Sequence, residues 1–412
     1  MSKASIVTIG NEVLSGHTVN TNAAYLGRKM LETGVAVVSE RTVGDEIVSI
    51  VDALKAACEE ADFVLVTGGL GPTEDDLTRQ GLSKFLGVEL QLDEGLPKVI
   101  EEMFRKRGVV MTANNKSQAY MPKGAKAIEN KIGTAAGIRA EWKEKTIYCM
   151  PGVPYEMKQM FEELVLPEIE NGAFGKGEVK IIRKLNCFGQ GESKIADMLG
   201  DLSKRGRNPQ INFTVGYGVV TVHITARAEN LEKADNDERQ IRAILGDLIF
   251  STGDETLAEA VGRMLAEKKM TLAIAESCTG GLLSGMITNV PGASRYFTHG
   301  WVTYSNEAKI AELDVPAEMI ERYGAVSEQT AEAMARGARK KSGADISVSI
   351  TGIAGPEGGS EQKPLGLVYI SVDTGKQRQT YRFILPGDRK AIRIRAANNA
   401  INIVRLALSG ID

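Results

Sequence analysis

The chain has 412 residues, of which 43% are hydrophobic and 25% charged, a composition typical of globular proteins with two or three domains. Its net charge is −3, with 50 basic and 53 acidic residues, so the composition offers no electrostatic footprint for nucleic acid. The 4 cysteines are widely spread and form no C-x-x-C pair, which argues against a disulfide framework or a structural zinc site and fits a reducing compartment.

The N-terminal residues run directly into a strand pattern, without the apolar region of a signal peptide. No apolar run approaches the ~20 residues that a membrane helix needs. We therefore expect a cytoplasmic protein that binds neither nucleic acid nor a membrane.

Strand and helix patterns alternate along residues 1–170, the first predicted domain. This order predicts an α/β fold with a parallel sheet and helices on both faces. The predicted strands are residues 5–9, 35–39 and 63–67, and the predicted helices are residues 22–33, 47–61 and 77–86.

The third strand runs into the loop GGLGPTEDD at residues 68–76. Its glycines let backbone approach a phosphate, and the helix that follows offers its N-terminus to the same anion. Asp75 and Asp76 would lie beside that anion, where two carboxylates are suited to Mg²⁺ or Mn²⁺, although one acidic residue at a helix start is also explained by the helix dipole. Glu12, in the loop after the first strand, is either a third ligand or an exposed loop carboxylate.

Five segments of this domain resemble the N-terminal domain of the CinA (competence/damage-inducible protein A) family, which is similar to the molybdopterin-binding fold. The resemblance implies a pyrophosphatase that uses a divalent metal (Mg²⁺, Mn²⁺ or Co²⁺) to convert ADP-ribose to AMP and ribose 5-phosphate. It also permits a protein that binds a nucleotide or molybdopterin without turnover. The segments are GNEVLSG at 10–16, NTN at 20–22, VGD at 43–45, TGGLGPTEDD at 67–76 and PGVPYEM at 151–157.

On this resemblance, the metal ligands are Asp75 and Asp76 with Glu12 as the third candidate, and Asp76 also has a catalytic role. The residues expected to face the substrate are Gly68, Gly69, Gly71, Thr73 and Asn22.

Residues 171–253 are predicted to form a small α+β connector domain after a glycine-rich linker at 171–177. The elements follow the order β-α-β-β-α, with strands at 179–188, 210–214 and 219–226 and helices at 192–199 and 231–248. The segment resembles the KH-like domain of the same family, but it has GQG at 189–191 instead of the GXXG loop that binds RNA. We expect a structural or dimerising role, and a homodimer.

The last predicted domain, residues 254–412, contains a buried strand at 272–275 that ends in ESCTGG at 276–281. Open α/β sheets bind ligands at such strand ends. Ser277 is therefore either a nucleophile or the N-cap of the following helix, since serine is a preferred cap.

A base for Ser277 is expected beyond the strand predicted at residues 300–304. Lys309 follows the far end of that strand, and serine–lysine pairs are a known variant of the catalytic triad. Such a lysine must be largely neutral, which burial can achieve. Tyr304 could relay the proton or orient the lysine. Taken alone, Lys309 could be a solvated helix residue and Tyr304 a strand-end aromatic.

Two other residues compete for these roles. His299 is a second candidate base, but it precedes the predicted strand whereas the cleft lies past its far end. Cys278 is a rival nucleophile, without a histidine nearby to ionise it.

The strand at 345–351 leads into a glycine-rich loop at 352–364, and a hairpin at 366–373 and 379–385 precedes the final helix. The loop either supplies backbone donors for an oxyanion or is a mobile surface loop.

Segments throughout the last domain resemble the CinA C-terminal domain: AESCTGG at 275–281, YSNEAK at 304–309, GAVS at 324–327, TGIAGP at 351–356 and GDR at 387–389. The resemblance implies a cofactor-free nicotinamide-nucleotide amidase, which converts NMN and water to nicotinate mononucleotide and ammonia. It implies Ser277 as nucleophile, Lys309 as its base and Tyr304 as an assisting group. The implied substrate contacts are Thr279, Gly280, Gly352, Gly355 and Arg393, with Arg389 as an alternative to Arg393.

Overall fold

A computed structural model describes residues 2–171 and 180–410. The predicted linker at 171–177 therefore lies almost entirely outside the described residues, as does the first residue of the strand predicted at 179–188. The chain divides into two compact units, Met1–Ile181 with Ala226–Leu231, and Ile182–Thr225 with Glu232–Asp412. Within the described ranges, no helix is long and apolar enough to cross a membrane.

The first unit is built on a six-stranded sheet and a separate two-stranded ribbon. The strands are β1 (Lys3–Ile9), β2 (Ala36–Val43), β3 (Phe63–Thr67), β4 (Leu90–Leu92), β5 (Tyr120–Pro122), β6 (Lys126–Ile128), β7 (Gly137–Trp142) and β8 (Lys145–Met150). The helices are α1 (Asn11–Leu14), α2 (Thr21–Glu32), α3 (Ile47–Glu60), α4 (Thr78–Leu86), α5 (Leu96–Lys106), α6 (Pro154–Met160) and α7 (Leu166–Asn171), with a 3₁₀ helix at Ala113–Ala119 and a π-helix at Phe161–Val165.

The large sheet has the strand order β2-β1-β3-β8-β7-β6. Strands β1, β2, β3 and β8 are parallel, while at one edge β7 pairs antiparallel with β8 and β6 pairs antiparallel with β7. Alternate residues of β3 enter two different cores, Val64 and Val66 with Ile50 on one face, and Phe63 and Leu65 with Met30 on the other. The predicted parallel sheet with helices on both faces is confirmed. The C-terminal ends of β1, β2, β3 and β8 lie along one edge of this sheet, where the first candidate site is found.

The middle segment forms a four-stranded sheet of order β10-β11-β9-β12. The predicted β-α-β-β-α order is confirmed, and a fourth strand, β12, pairs antiparallel with β9. The elements are β9 (Lys180–Phe188), α8 (Glu192–Leu199), β10 (Gln210–Gly216), β11 (Val219–Arg227), α9 (Leu231–Leu245) and β12 (Ile249–Thr252), with 3₁₀ turns at Gly200–Ser203, Ala228–Asn230 and Gly246–Leu248.

The last segment forms a five-stranded sheet of order β14-β13-β15-β16-β17, parallel around β13 and antiparallel beyond β15. Its strands are β13 (Leu272–Glu276), β14 (Phe297–Val302), β15 (Ile346–Gly352), β16 (Leu367–Asp373) and β17 (Arg378–Ile384). Its helices are α10 (Leu257–Lys268), α11 (Leu282–Thr288), α12 (Asn306–Leu313), α13 (Ala317–Tyr323), α14 (Glu328–Ser342) and α15 (Arg389–Ser409), with a 3₁₀ turn at Ala293–Arg295.

The middle and last segments share one hydrophobic core. Phe188 and Phe250 of the middle sheet belong to the same buried cluster as Val348 of β15 and residues of α15. A buried arginine of α15, Arg405, also donates to the carbonyl of Asp247 at 2.8 Å. Because this burial is continuous, the two segments are packed as one body in the second unit.

Candidate active sites

Strand β13 delivers Ser277 to the C-terminal edge of the last sheet. The backbone N–H of Ser277 donates to the Ile350 carbonyl on β15 at 2.9 Å, and its carbonyl accepts from Gly280 N at 3.0 Å. Gly280 and Gly281 have φ values of 55° and 89°, a left-handed conformation that glycine adopts without strain. The chain therefore turns sharply after the strand and leaves the Ser277 side chain at the strand end, 9% exposed.

The start of helix α11 is capped by Glu276 and not by Ser277. The fully buried Glu276 carboxylate accepts from Gly281 N and Leu283 N at 3.0 Å, from Ser284 N at 2.8 Å and from the Ser284 hydroxyl at 2.7 Å. These are the N–H groups that a helix start leaves without intrahelical partners. The alternative role of Ser277 as helix cap is therefore wrong, and its hydroxyl is left for other contacts.

Helix α12 brings Lys309 to Ser277. Ser305 caps this helix by accepting from Ala308 N at 3.1 Å, which places Lys309 within the first turns. Lys309 is 1% exposed, and its Nζ lies 3.2 Å from Ser277 Oγ and 2.8 Å from the Thr303 carbonyl oxygen. Burial lowers the pKa of this amine, against a smaller opposing effect of neighbouring groups such as Glu307.

The structure brings Tyr304 to Lys309 through its carbonyl, 3.4 Å from Nζ, whereas its hydroxyl contacts Arg389. Arg389 Nη2 donates to that hydroxyl at 2.9 Å, and Nη1 donates to the Gly355 carbonyl at 2.6 Å. Gly352 is the last residue of β15, where an added Cβ would fall 2.7 Å from the Leu367 carbonyl oxygen. In the loop after β15, the Gly355 carbonyl thus accepts from Arg389. At Gly352 the missing side chain allows β15 to pack closely against Leu367 of β16.

The rival catalytic residues have different environments. Burial raises the pKa of the Cys278 thiol to about 12, so it carries little thiolate at neutral pH. His299 lies within β14, not before the strand as predicted, and its ring stacks on Trp301 at a centroid distance of 5.1 Å. All 4 cysteines are free and buried.

Several buried polar atoms beside this pair have no partner in the described part of the chain. They are the hydroxyls of Thr279 and Thr303 and Nε of Arg393. Arg393 Nη2 donates to the Thr279 carbonyl at 2.5 Å, so the arginine is anchored to the Ser277 turn. Buried polar groups are rarely left unpaired, and these atoms therefore indicate where a ligand or water contributes hydrogen bonds.

The first unit has its own pocket, of about 450 Å³, at the edge where β1, β2, β3 and β8 end. Two acidic residues line it in addition to those expected, Asp45 after β2 and Glu156 on α6. Asn22 is not among the lining residues, because its amide donates to Thr67 Oγ1 at 2.9 Å and to the Gly152 carbonyl at 2.8 Å. The expected residues that do line the pocket are Glu12, Gly68, Gly69, Gly71, Thr73, Asp75 and Asp76.

A buried arginine supports the glycine loop of this pocket. Arg79, 4% exposed, donates to the Leu70 carbonyl through both Nη atoms at 2.9 Å and to the Gly71 carbonyl at 2.8 Å. Gly68 has φ 105°, and a Cβ there would fall 2.0 Å from the Ile9 carbonyl oxygen. The loop conformation therefore depends on both the guanidinium and the missing side chain.

Four carboxylates gather on one side of the pocket. The pKa of Asp45 is raised, first by burial and then by the negative charges of Glu12, Asp75 and Asp76. In the described ranges, no three His, Cys, Asp or Glu side chains are placed to bind a metal ion by themselves. Mg²⁺ commonly uses only one or two carboxylates together with substrate phosphates, so an electrostatically strained acidic cluster beside a glycine loop fits such an ion.

The sequence predicted no role at this pocket for Asp45, Glu156 or Arg79. Asp45 follows the end of β2, so the strand-end reasoning applied to Asp75 could have identified it. Arg79 had no comparable signal, because an arginine in a helix is usually solvated.

Fold and sites together define a three-domain α/β protein with separate strand-end sites in its first and last domains. Family profiles described as "Probable molybdopterin binding domain", "Damage-inducible protein CinA KH domain" and "CinA C-terminal domain" match residues 5–171, 182–251 and 254–408.

The chain is 42% identical over 410 residues to a CinA-like protein of Dictyoglomus thermophilum, covering 98% of this chain and 99% of that protein. It is 41% identical over 413 residues to a CinA-like protein of Kosmotoga olearia, again covering 98% and 99%. A crystal structure of a CinA protein from Thermoplasma acidophilum is 37% identical, with a TM-score of 0.38, and covers 40% of this chain and 96% of that one. The chain belongs to the CinA family.

Proposed function

We propose that the last domain is a serine–lysine amidohydrolase that deamidates nicotinamide mononucleotide. The observation that carries the proposal is the 3.2 Å separation of Lys309 Nζ and Ser277 Oγ at a buried strand end. A serine hydroxyl needs a neighbouring base to become a nucleophile, and burial favours the neutral amine that can act as one.

In the proposed reaction, Ser277 Oγ attacks the carboxamide carbon and its proton passes to Lys309 Nζ. The tetrahedral oxyanion accepts from the backbone N–H groups of Cys278 and Thr279, which donate to no backbone carbonyl among the described residues. Lys309 then protonates the leaving nitrogen, which departs as ammonia. Water attacks the resulting ester, its proton passes through Lys309 to Ser277, and the carboxylate product leaves.

A neutral amine has two N–H groups and one lone pair. The Thr303 carbonyl lies 2.8 Å from Nζ, and the carbonyls of Tyr304 and Ser305 each lie 3.4 Å from it. The Thr303 carbonyl and one of the other two can accept the two N–H groups, which directs the lone pair to Ser277. The geometry thus supports Lys309 as the acceptor of the serine proton.

The test is ammonia release from NMN by the purified full chain. Ser277→Ala and Lys309→Met should each reduce it by at least about 10³-fold, because nucleophile and base act as a unit. Cys278→Ala should retain it, since only the backbone of that residue takes part. Near-normal ammonia release from Ser277→Ala would contradict the assignment.

For the first domain, we propose hydrolysis of ADP-ribose to AMP and ribose 5-phosphate. The supporting observation is the acidic cluster beside the glycine loop, where Asp75 and Asp76 would bind a divalent ion. That ion would neutralise diphosphate charge. The chain's own contribution is to position the diphosphate through the loop and to keep Asp76 oriented, since its Oδ2 accepts from Thr73 N at 2.9 Å.

Product analysis tests this second activity and separates it from binding without turnover. The full chain should release AMP from ADP-ribose with Mg²⁺ or Mn²⁺ and lose that activity with a chelator. Asp76→Ala should abolish AMP release and leave ammonia release unchanged. A protein that binds ADP-ribose but releases no AMP would favour the alternative, a nucleotide- or molybdopterin-binding protein.

A further inference from the structure

The pocket of the first unit has a second side that the acidic cluster does not occupy. In the strand order β2-β1-β3-β8, the loop of β3 lies between the strands that supply Asp45 and Glu12 and the strand that leads to Glu156. Glu156 lies in helix α6, which follows β8, on the other side of the β3 loop from β1 and β2. Glu156 therefore faces a different part of any ligand that lies across the glycine loop.

The position of Glu156 is determined by its neighbours. Asn130 Nδ2 donates to Glu156 Oε2 at 2.8 Å and to the Ala135 carbonyl at 2.9 Å, while Asn130 Oδ1 accepts from Gly133 N at 2.7 Å. A Cβ at Gly133 would lie 1.9 Å from Glu156 Oε2. The amide donor and the missing side chain together hold the carboxylate at the pocket wall, as a hydrogen-bond acceptor.

The chemistry around Glu156 suits an uncharged polar ligand group. Among the residues that the structure describes, no lysine, arginine or histidine lines the pocket. Gln118, 2% exposed, uses its Oε1 to accept from Asn115 at 3.3 Å, which leaves its amide N–H groups as donors. Thr134 adds a hydroxyl. A second phosphate would be repelled here, whereas a sugar diol would donate to the carboxylate and accept from the amide.

We propose that Glu156 binds the ribose hydroxyls of the nucleoside whose diphosphate lies on the glycine loop, and so selects ribonucleotides over deoxyribonucleotides. The inference rests on the proposed nucleotide hydrolysis by this domain and names the residue that recognises the sugar. A carboxylate that accepts from ribose hydroxyls is a recurrent device in nucleotide sites.

The test is calorimetric titration of the full chain with ADP and with 2′-deoxy-ADP, both in the presence of Mg²⁺. The wild type should bind ADP at least about tenfold more tightly, since hydrogen bonds to a charged group are among the stronger ones. Glu156→Gln should weaken ADP binding by a similar factor and weaken 2′-deoxy-ADP binding less, because the deoxy sugar keeps only its 3′-hydroxyl. Glu144→Gln, an exposed site in the turn between β7 and β8, is the charge-matched control and should match the wild type.

Equal affinity of the wild type for the two nucleotides would overturn the inference. Equal weakening of both by Glu156→Gln would also overturn it, because the carboxylate would then act on a group that both ligands share. If neither nucleotide binds to the folded wild type, the proposed function of the domain fails together with the inference.

Discussion

Replacing Glu276 by glutamine tests whether its carboxylate stabilises the Ser277 turn, residues 277–281. Even in its better orientation, the glutamine amide loses one backbone N–H donor and converts the other charge-assisted bonds to neutral ones, about half as strong. With hydrogen bonds to charged groups worth about 1.5–3 kcal/mol, the local structure should lose at least about 3 kcal/mol. That loss corresponds to about a hundredfold increase in local opening.

Hydrogen exchange measured by mass spectrometry on peptides covering residues 277–288 reports this opening directly. Exchange there should accelerate about a hundredfold in Glu276→Gln, ammonia release should fall, and AMP release should not change. Glu267→Gln, on the exposed face of α10, is the matched control. If the two variants exchange alike over this segment, the carboxylate does not stabilise the turn and the reasoning is wrong.

The remaining predictions concern the two proposed activities. The kcat/KM for ammonia release should rise with pH and level off below about pH 10.4, the ordinary lysine pKa. The reason is that the lowered pKa of Lys309 makes the neutral amine available at lower pH. A pH–rate profile checks this. Asp45→Asn should raise the Mn²⁺ concentration for half-maximal AMP release at least about tenfold by removing one charge from the cluster, as a metal titration would measure. Arg79→Met should reduce AMP release at least about tenfold, since the Leu70 and Gly71 carbonyls lose their donors, with unchanged ammonia release from the same preparation as the control.

Helices and strands that a short stretch of sequence specifies by itself were predicted correctly. Strand β3 at Phe63–Thr67 and helix α8 at Glu192–Leu199 have the predicted bounds, because an apolar run and an amphipathic period with clear turn residues identify them. Strand β14 was predicted at residues 300–304 and lies at Phe297–Val302, since its register against β13, Leu272 opposite Phe297, determines where it begins. That register depends on packing partners distant in sequence.

The residues of the serine site show the same distinction. Ser277 and Lys309 both follow strand ends, and parallel strands bring such positions to one edge, so their proximity was predictable. The direction of the Glu276 side chain was not, because it depends on a carboxylate turning back to N–H groups up to eight residues later. Sequence likewise gave no sign that Tyr304 would direct its hydroxyl to Arg389 and only its carbonyl to Lys309.

The carboxylate cap on α11 has a consequence for the sign of the local electric field. A free helix start presents partial positive charge, equivalent to about half an elementary charge, and would repel a cation. The full negative charge of Glu276 more than cancels it, and the guanidinium of Arg393, which donates to the Thr279 carbonyl, adds a positive charge at the same turn. Nicotinamide attached to ribose is a pyridinium with a permanent positive charge. The carboxylate that shapes the turn would therefore attract the pyridinium ring of the proposed substrate, and the guanidinium would attract its phosphate.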